Sequence, residues 1–138
     1  MTVTNREIYV NALGILGENV DGSMTEDYEE RASYLIPAFC CVAKDIDKNI
    51  RKAEGAEPQP SFSPVYMTLD SNFPLSDQLA SAAALYLAAM LVIDENSDLS
   101  DSIYDKYCDS ISSISASINA FKFGSSSCES IVEKYFFD

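Results

Sequence analysis

The stretch from Leu79 to Ile93, Leu-Ala-Ser-Ala-Ala-Ala-Leu-Tyr-Leu-Ala-Ala-Met-Leu-Val-Ile, is apolar almost all the way round when wound as a helix. Such a helix must be wrapped by other helices, by lipid or by further copies of itself. The segment after it has the opposite character. Leu99, Ile103, Tyr107, Ile111, Ile114 and Ile118 form one apolar stripe, with Ser and Asp on the other face. The apolar run is 15 residues long, shorter than the roughly 20 a membrane span needs, and Asp77 and Asp94 flank it. Its alanines let neighbouring helices approach closely. The pair therefore predicts a bundle centre, with helices over about 77–94 (capped by Ser76 or Asp77) and 98–120.

Two further helices are predicted upstream. Thr4 and Glu7 have capping-box spacing, Ile8, Ala12, Ile15 and Leu16 follow at helical intervals, and Gly17 fits a left-handed C-cap. This predicts a helix over 5–16. Ser23 and Glu26 repeat the capping box, and the acids at 26–30 complement a helix dipole. Tyr28, Ala32, Leu35, Phe39, Val42, Ile46 and Ile50 continue as one stripe to Glu54-Gly55. Pro37 falls within it, and the stripe keeps its phase across the proline. The expectation is one helix over 25–54, kinked at Pro37 rather than divided.

Residues 55–75 carry four of the five prolines and read as an extended excursion, within which Val65–Leu69 could form a short strand. Ser125–Ser127 breaks the last long helix, and a short C-terminal helix is expected in the segment 128–138, which ends on Tyr135-Phe-Phe137. The fold expected is all-α: one domain over 1–138, with four main helices, a short terminal helix and a Pro-containing loop between the second and third.

Charge narrows function. The chain has 22 Asp+Glu against 9 Lys+Arg, a net −13, so its surface repels phosphate backbones and anionic membranes. It has no His, which removes the commonest general base and metal ligand. Of the four Cys, Cys40 and Cys41 are adjacent and diverge by about 100° on a helix, while Cys108 and Cys128 stand alone. Buried, reduced cytosolic thiols are the expectation, and the start Met1–Arg6 lacks the apolar core of a signal peptide.

Asp94, Asn96, Asp98 and Asp105 imitate a calcium loop, but Leu99 occupies the sixth position, where the turn needs Gly. A solvated interhelical loop with Asp98 as N-cap is the simpler reading. Glu26/Glu29 and Glu95/Asp98 have the spacing of magnesium-binding pairs in helical nucleotide hydrolases, yet sit at helix starts, where acids cap. No catalytic, cofactor-binding or metal-ligating residue is assigned, no cofactor is expected, and the chain reads as a non-enzyme.

Four segments, Ala12–Gly17, Asp27–Ile36, Phe73–Leu91 with Asp105-Lys-Tyr107, and Ile131–Tyr135, resemble in order the head–tail connector (adaptor) proteins of tailed bacteriophages and prophages. Phe136-Phe-Asp138 departs from that pattern, where a Gly-containing polar end is expected. The resemblance implies a structural subunit that forms a homo-oligomeric ring on the phage portal, meets tail-completion proteins and passes DNA without binding it specifically. It implies residence in the virion, with assembly in the host cytoplasm, and is compatible with a monomer before assembly. A ring would also account for the apolar excess of the 77–94 helix, and an acidic inner wall would let DNA slide. The alternative is an acidic soluble binding protein, such as a phage-encoded DNA mimic, which would display acids in rows on an open face.

Overall fold

Five helices follow one another in the computed structural model, which describes residues 3–17 and 25–123, the last five by backbone alone. They are α1 (Asn5–Leu16), α2 (Thr25–Val42), α3 (Lys44–Glu54), α4 (Ala80–Val92) and α5 (Ser97–Phe123), with a 3-10 turn at Asp77–Leu79 leading into α4. The described residues form no strand, and the fold is all-helical. Ser23 of the second capping box, the segment 128–138 and the Tyr135–Phe137 ending lie outside the described residues.

α4 is the centre, as its all-round apolarity requires. Ala82, Ala83, Ala84, Leu87, Ala88, Ala89, Leu91 and Val92 are buried, and α1, α2 and α5 all pack on this helix. The small alanines permit that close approach. The chain itself thus buries most of the helix whose apolar excess a ring would have accounted for. Its last turn is closed from outside: the Arg31 guanidinium donates to the carbonyls of Met90 at 2.9 Å and Leu91 at 3.2 Å. Those acceptors have no partner within a helix end, and a cation there also opposes the dipole. Ser100 Oγ of α5 donates to Ala89 O at 2.8 Å, in a buried contact that ties the two helices together.

Helix α1 has the expected bounds. Thr4 Oγ1 accepts from Glu7 N; Gly17 ends the helix with φ 56° and ψ −126°, a positive-φ cap but not the left-handed helical one expected there. The other first-turn donors are satisfied by distant chain: Asn5 N donates to Ser71 O at 3.0 Å and Arg6 N to Leu69 O at 2.8 Å.

The helix expected over 25–54 is two helices, and the division is not at Pro37. α2 runs through the proline to Val42, and the chain turns at Ala43, where ψ is 5°. A proline has no N–H, so the carbonyl four residues before it loses its helical donor. That carbonyl, Ser33 O, instead accepts from Met67 N at 3.0 Å. The missing bond is thereby replaced by one that docks the excursion, and the helix passes through. The turn at Ala43 lets α2 pack on α4 while α3 reaches α5.

The excursion is pinned to the core. Met67, Leu69, Phe73 and Leu75 are buried. Val65–Leu69, which could have formed a short strand, does not; its polar groups pair with the start of α1, with the carbonyl of Ser33 within α2 and with side chains, and one isolated antiparallel bridge joins Thr4 to Asn72. Asn5, fully buried, donates Nδ2 to Thr68 O at 3.1 Å and to Ser71 Oγ at 3.2 Å. Across the middle of the molecule Phe39 meets the rings of Phe73, Tyr86 and Tyr107. α2, the excursion, α4 and α5 thus share one aromatic cluster.

Candidate functional site

On a chain of net −13, α3 is locally basic. Lys44, Lys48 and Lys52 recur every four residues on one exposed face, their backbone positions about 6 Å apart along the axis. They line a cleft of about 820 Å³ between α3 and the excursion, together with Arg51, Cys41, Phe62 and three prolines. The cleft thus joins four cations to apolar walls, and no carboxylate lines it.

One buried carboxylate holds this cleft in shape. Asp47 is fully buried. Its Oδ2 accepts from Arg51 Nε at 2.8 Å and Gln59 Nε2 at 2.8 Å, and its Oδ1 from Ser76 N at 2.6 Å. The i,i+4 pairing of Asp47 and Arg51 follows from helix geometry. Arg51 also donates to Glu57 O at 3.1 Å and Pro74 O at 3.0 Å. The buried charge is therefore both paired and hydrogen-bonded, the condition under which burial is tolerated. Both ends of the excursion meet at this node.

Arg6 and Arg31 are engaged elsewhere. Arg6 pairs with Glu29 at 3.3 Å and Asp70 at 3.1 Å, and these partners, Asp70 foremost, raise its pKa. Lys44, Lys48 and Lys52 form no ion pair with any described residue. Burial pushes the Cys40 thiol up to about 12, so Cys40 is an inert core thiol. Cys41 is exposed at the cleft wall and Cys108 is exposed on α5, which corrects the expectation of buried thiols for these two.

The residues weighed for metal chemistry are placed otherwise. Ser97 begins α5, and the N-cap is Asn96, whose Oδ1 accepts from Leu99 N at 3.1 Å; Asp98, the expected cap, lies one turn-position inside. Asp98, Asp101 and Asp105 are helical, so the twelve-residue calcium loop does not exist. Glu29 pairs with Arg6, and Glu95 accepts from the Tyr28 hydroxyl at 3.2 Å. Among the described residues no three His, Cys, Asp or Glu converge on a point that could hold a metal ion. No helix among them is long and apolar enough to cross a membrane.

Sequence reasoning passed over the cleft because it weighed net charge rather than its distribution. The signal was present: four of nine basic residues fall between positions 44 and 52, at helical intervals. Comparison with known proteins finds no family model that matches the chain, no curated protein similar to it and no solved structure similar to it.

Proposed function

We propose that the chain is a head–tail connector subunit of a tailed phage or prophage, a non-enzymatic ring component between portal and tail. The observation that carries the reading is the ordered set of resembling segments. Three of them supply core residues: Ala12 and Leu16 on α1, Tyr28, Ala32 and Ile36 on α2, and Phe73, Leu75, Leu79, Ala84, Leu87, Ala88 and Leu91 around α4. A resemblance carried by packing residues bears on the whole fold rather than on a surface motif. The all-helical architecture is compatible with it. Membership of the virion, the ring and the portal partner are parts of the same proposal.

The test is chromatography with light scattering of the chain alone and mixed with the portal protein of the phage or prophage that carries its gene. A portal complex with many copies of the chain is expected. A chain that never binds portal, and whose gene has no portal or capsid gene nearby, would overturn the reading.

One observation favours the second reading, a soluble DNA mimic. Asp98, Asp101, Asp105 and Asp109 are all exposed on α5, and their steps of three and four residues make one row on the face opposite the core stripe. A mimic would displace DNA from a DNA-binding protein, and the quadruple Asp→Asn variant would lose that competition. Absence of any displacement by the wild-type chain would remove this reading.

A further inference from the structure

The lysine face of α3 and the aspartate row of α5 are charge complements that one protomer does not bring together. α3 and α5 pack on each other within the chain, yet no ion pair joins the lysines to the row. Along α3 the backbone positions of Lys44, Lys48 and Lys52 stand about 6 Å apart; along α5 those of the aspartates stand about 4.5–6 Å apart. Both rows are exposed and similarly spaced. Each also has an apolar flank. Val42 and Val65, each 64% exposed, sit beside the cleft residues Cys41 and Pro64, and Tyr104, 40% exposed, sits beside the aspartates.

We propose that the α3 cleft receives the aspartate row of α5 from a second copy of the chain. The contact uses a different face on each copy, so it is heterologous and propagates head to tail, closing as a ring where the rotation permits. Its closure into a ring rests on the connector reading. The contact itself does not need the portal and is measured without it. Lysines that form no ion pair with any described residue thereby gain a counter-charge, and copies of a chain that repel through their net charge gain one oriented attraction.

Sedimentation of the wild-type chain over a concentration series, at about 20 mM and about 500 mM salt, tests the contact, because screening at high salt removes exposed-charge attraction. The mass is expected to rise with concentration at low salt and not at high salt. Two charge-reversed variants, K44E/K48E/K52E and D98K/D101K/D105K, alter exposed side chains only, and circular dichroism checks their fold. Each exposed pair is worth about 1.4- to 5-fold in affinity, and reversal adds repulsion, so each variant alone should associate at least about tenfold more weakly. An equimolar mixture should recover association, because the reversed cleft then meets reversed aspartates and the unreversed pair also meets. A wild-type chain that stays monomeric at low salt, variants that associate as wild type, or a mixture that stays monomeric would each overturn the proposal. None of these results bears on portal binding, so the connector reading is judged separately.

Discussion

α4 and the excursion over residues 56–76 both lie on the same core, and different physics holds each there. α4 is held by area: eight of its residues are buried, and the polar contacts at its end are made by groups from α2 and α5 reaching its carbonyls. The excursion buries only four large side chains and depends on polar bonds to the start of α1, to the carbonyl of Ser33 within α2 and to Asp47. Packing spread over many contacts degrades gradually when one is removed. A hub that satisfies several groups at once fails as a unit, because each abandoned donor is left buried without an acceptor.

Asp47→Ala is the substitution with the largest expected effect. It removes the acceptor of Arg51, Gln59 and Ser76 together, and breaking a buried pair by deleting one member costs about 3–5 kcal/mol. Urea unfolding at pH 7 measures the loss. Asp47→Asn should recover part of it, since the amide oxygen still accepts from Ser76 N. Leu87→Ala, at the fully buried centre of α4, should cost about 3 kcal/mol as a cavity forms. Hydrogen exchange sharpens the comparison: Asp47→Ala should speed exchange first at Ser76 and Met67, and Leu87→Ala uniformly across the helices. Equal patterns in the two variants would mean that the hub and the packed centre unfold as one unit.

The same division explains what the sequence made legible. Helical periodicity reports which face of an element is buried, so α1, the α4–α5 pair and most of the apolar stripe through Ile50 could be read directly; Val42, assigned to that stripe, is instead 64% exposed beside the turn at Ala43. It says nothing of which distant group meets a given polar atom. The division at Ala43 was therefore invisible, since the stripe keeps its phase there, and Pro37 drew attention to the wrong place. That Ser33 O would be taken by Met67 N, or that Asp47 would gather both ends of the excursion, depends on contacts across 34 and 29 residues. The basic cleft was legible in charge spacing alone, but its partner wall, the excursion, was not.

Alkaline pH acts on the packed side of the comparison. Burial, with Glu95 nearby, pushes the Tyr28 hydroxyl from 10.0 to about 12, and burial raises Tyr107 likewise to about 12. Between pH 10 and 12 the folded chain keeps these protons while the unfolded chain has lost them. Stability is therefore level below pH 10 and falls as pH rises towards 12; for the Cys40 thiol, raised from 9.0 to about 12, the fall begins near 9. Tyr28→Phe should cost about 1.5 kcal/mol at pH 7, for the lost bond to a carboxylate, and flatten part of the alkaline decline. Urea midpoints at pH 8 and pH 11 for both chains test this. An unchanged slope would mean that the phenol titrates normally and that Glu95 and burial do not hold its proton.

The smallest effects contrast two glycines, one inside a packed helix and one at the entry to the excursion. Gly14 lies within α1, exposed, and a Cβ there would meet nothing within 4 Å. Gly14→Ala should stabilise by about 0.5–1 kcal/mol, because alanine loses less backbone freedom on folding. Gly55 ends α3 with φ 65° and ψ 28°, and also faces open space. Its cost on substitution is therefore conformational alone, about 1–2 kcal/mol for an L-residue held in the left-handed region. The strain falls where Ala56 N donates to Arg51 O at 2.9 Å, beside the side chain that braces the excursion. Gly55→Ala should thus loosen the cleft before it unfolds the helices, seen as faster exchange at Ala56 and Ser76. If Gly55→Ala leaves exchange at Ser76 unchanged, the hub at Asp47 holds the excursion without help from the α3 cap.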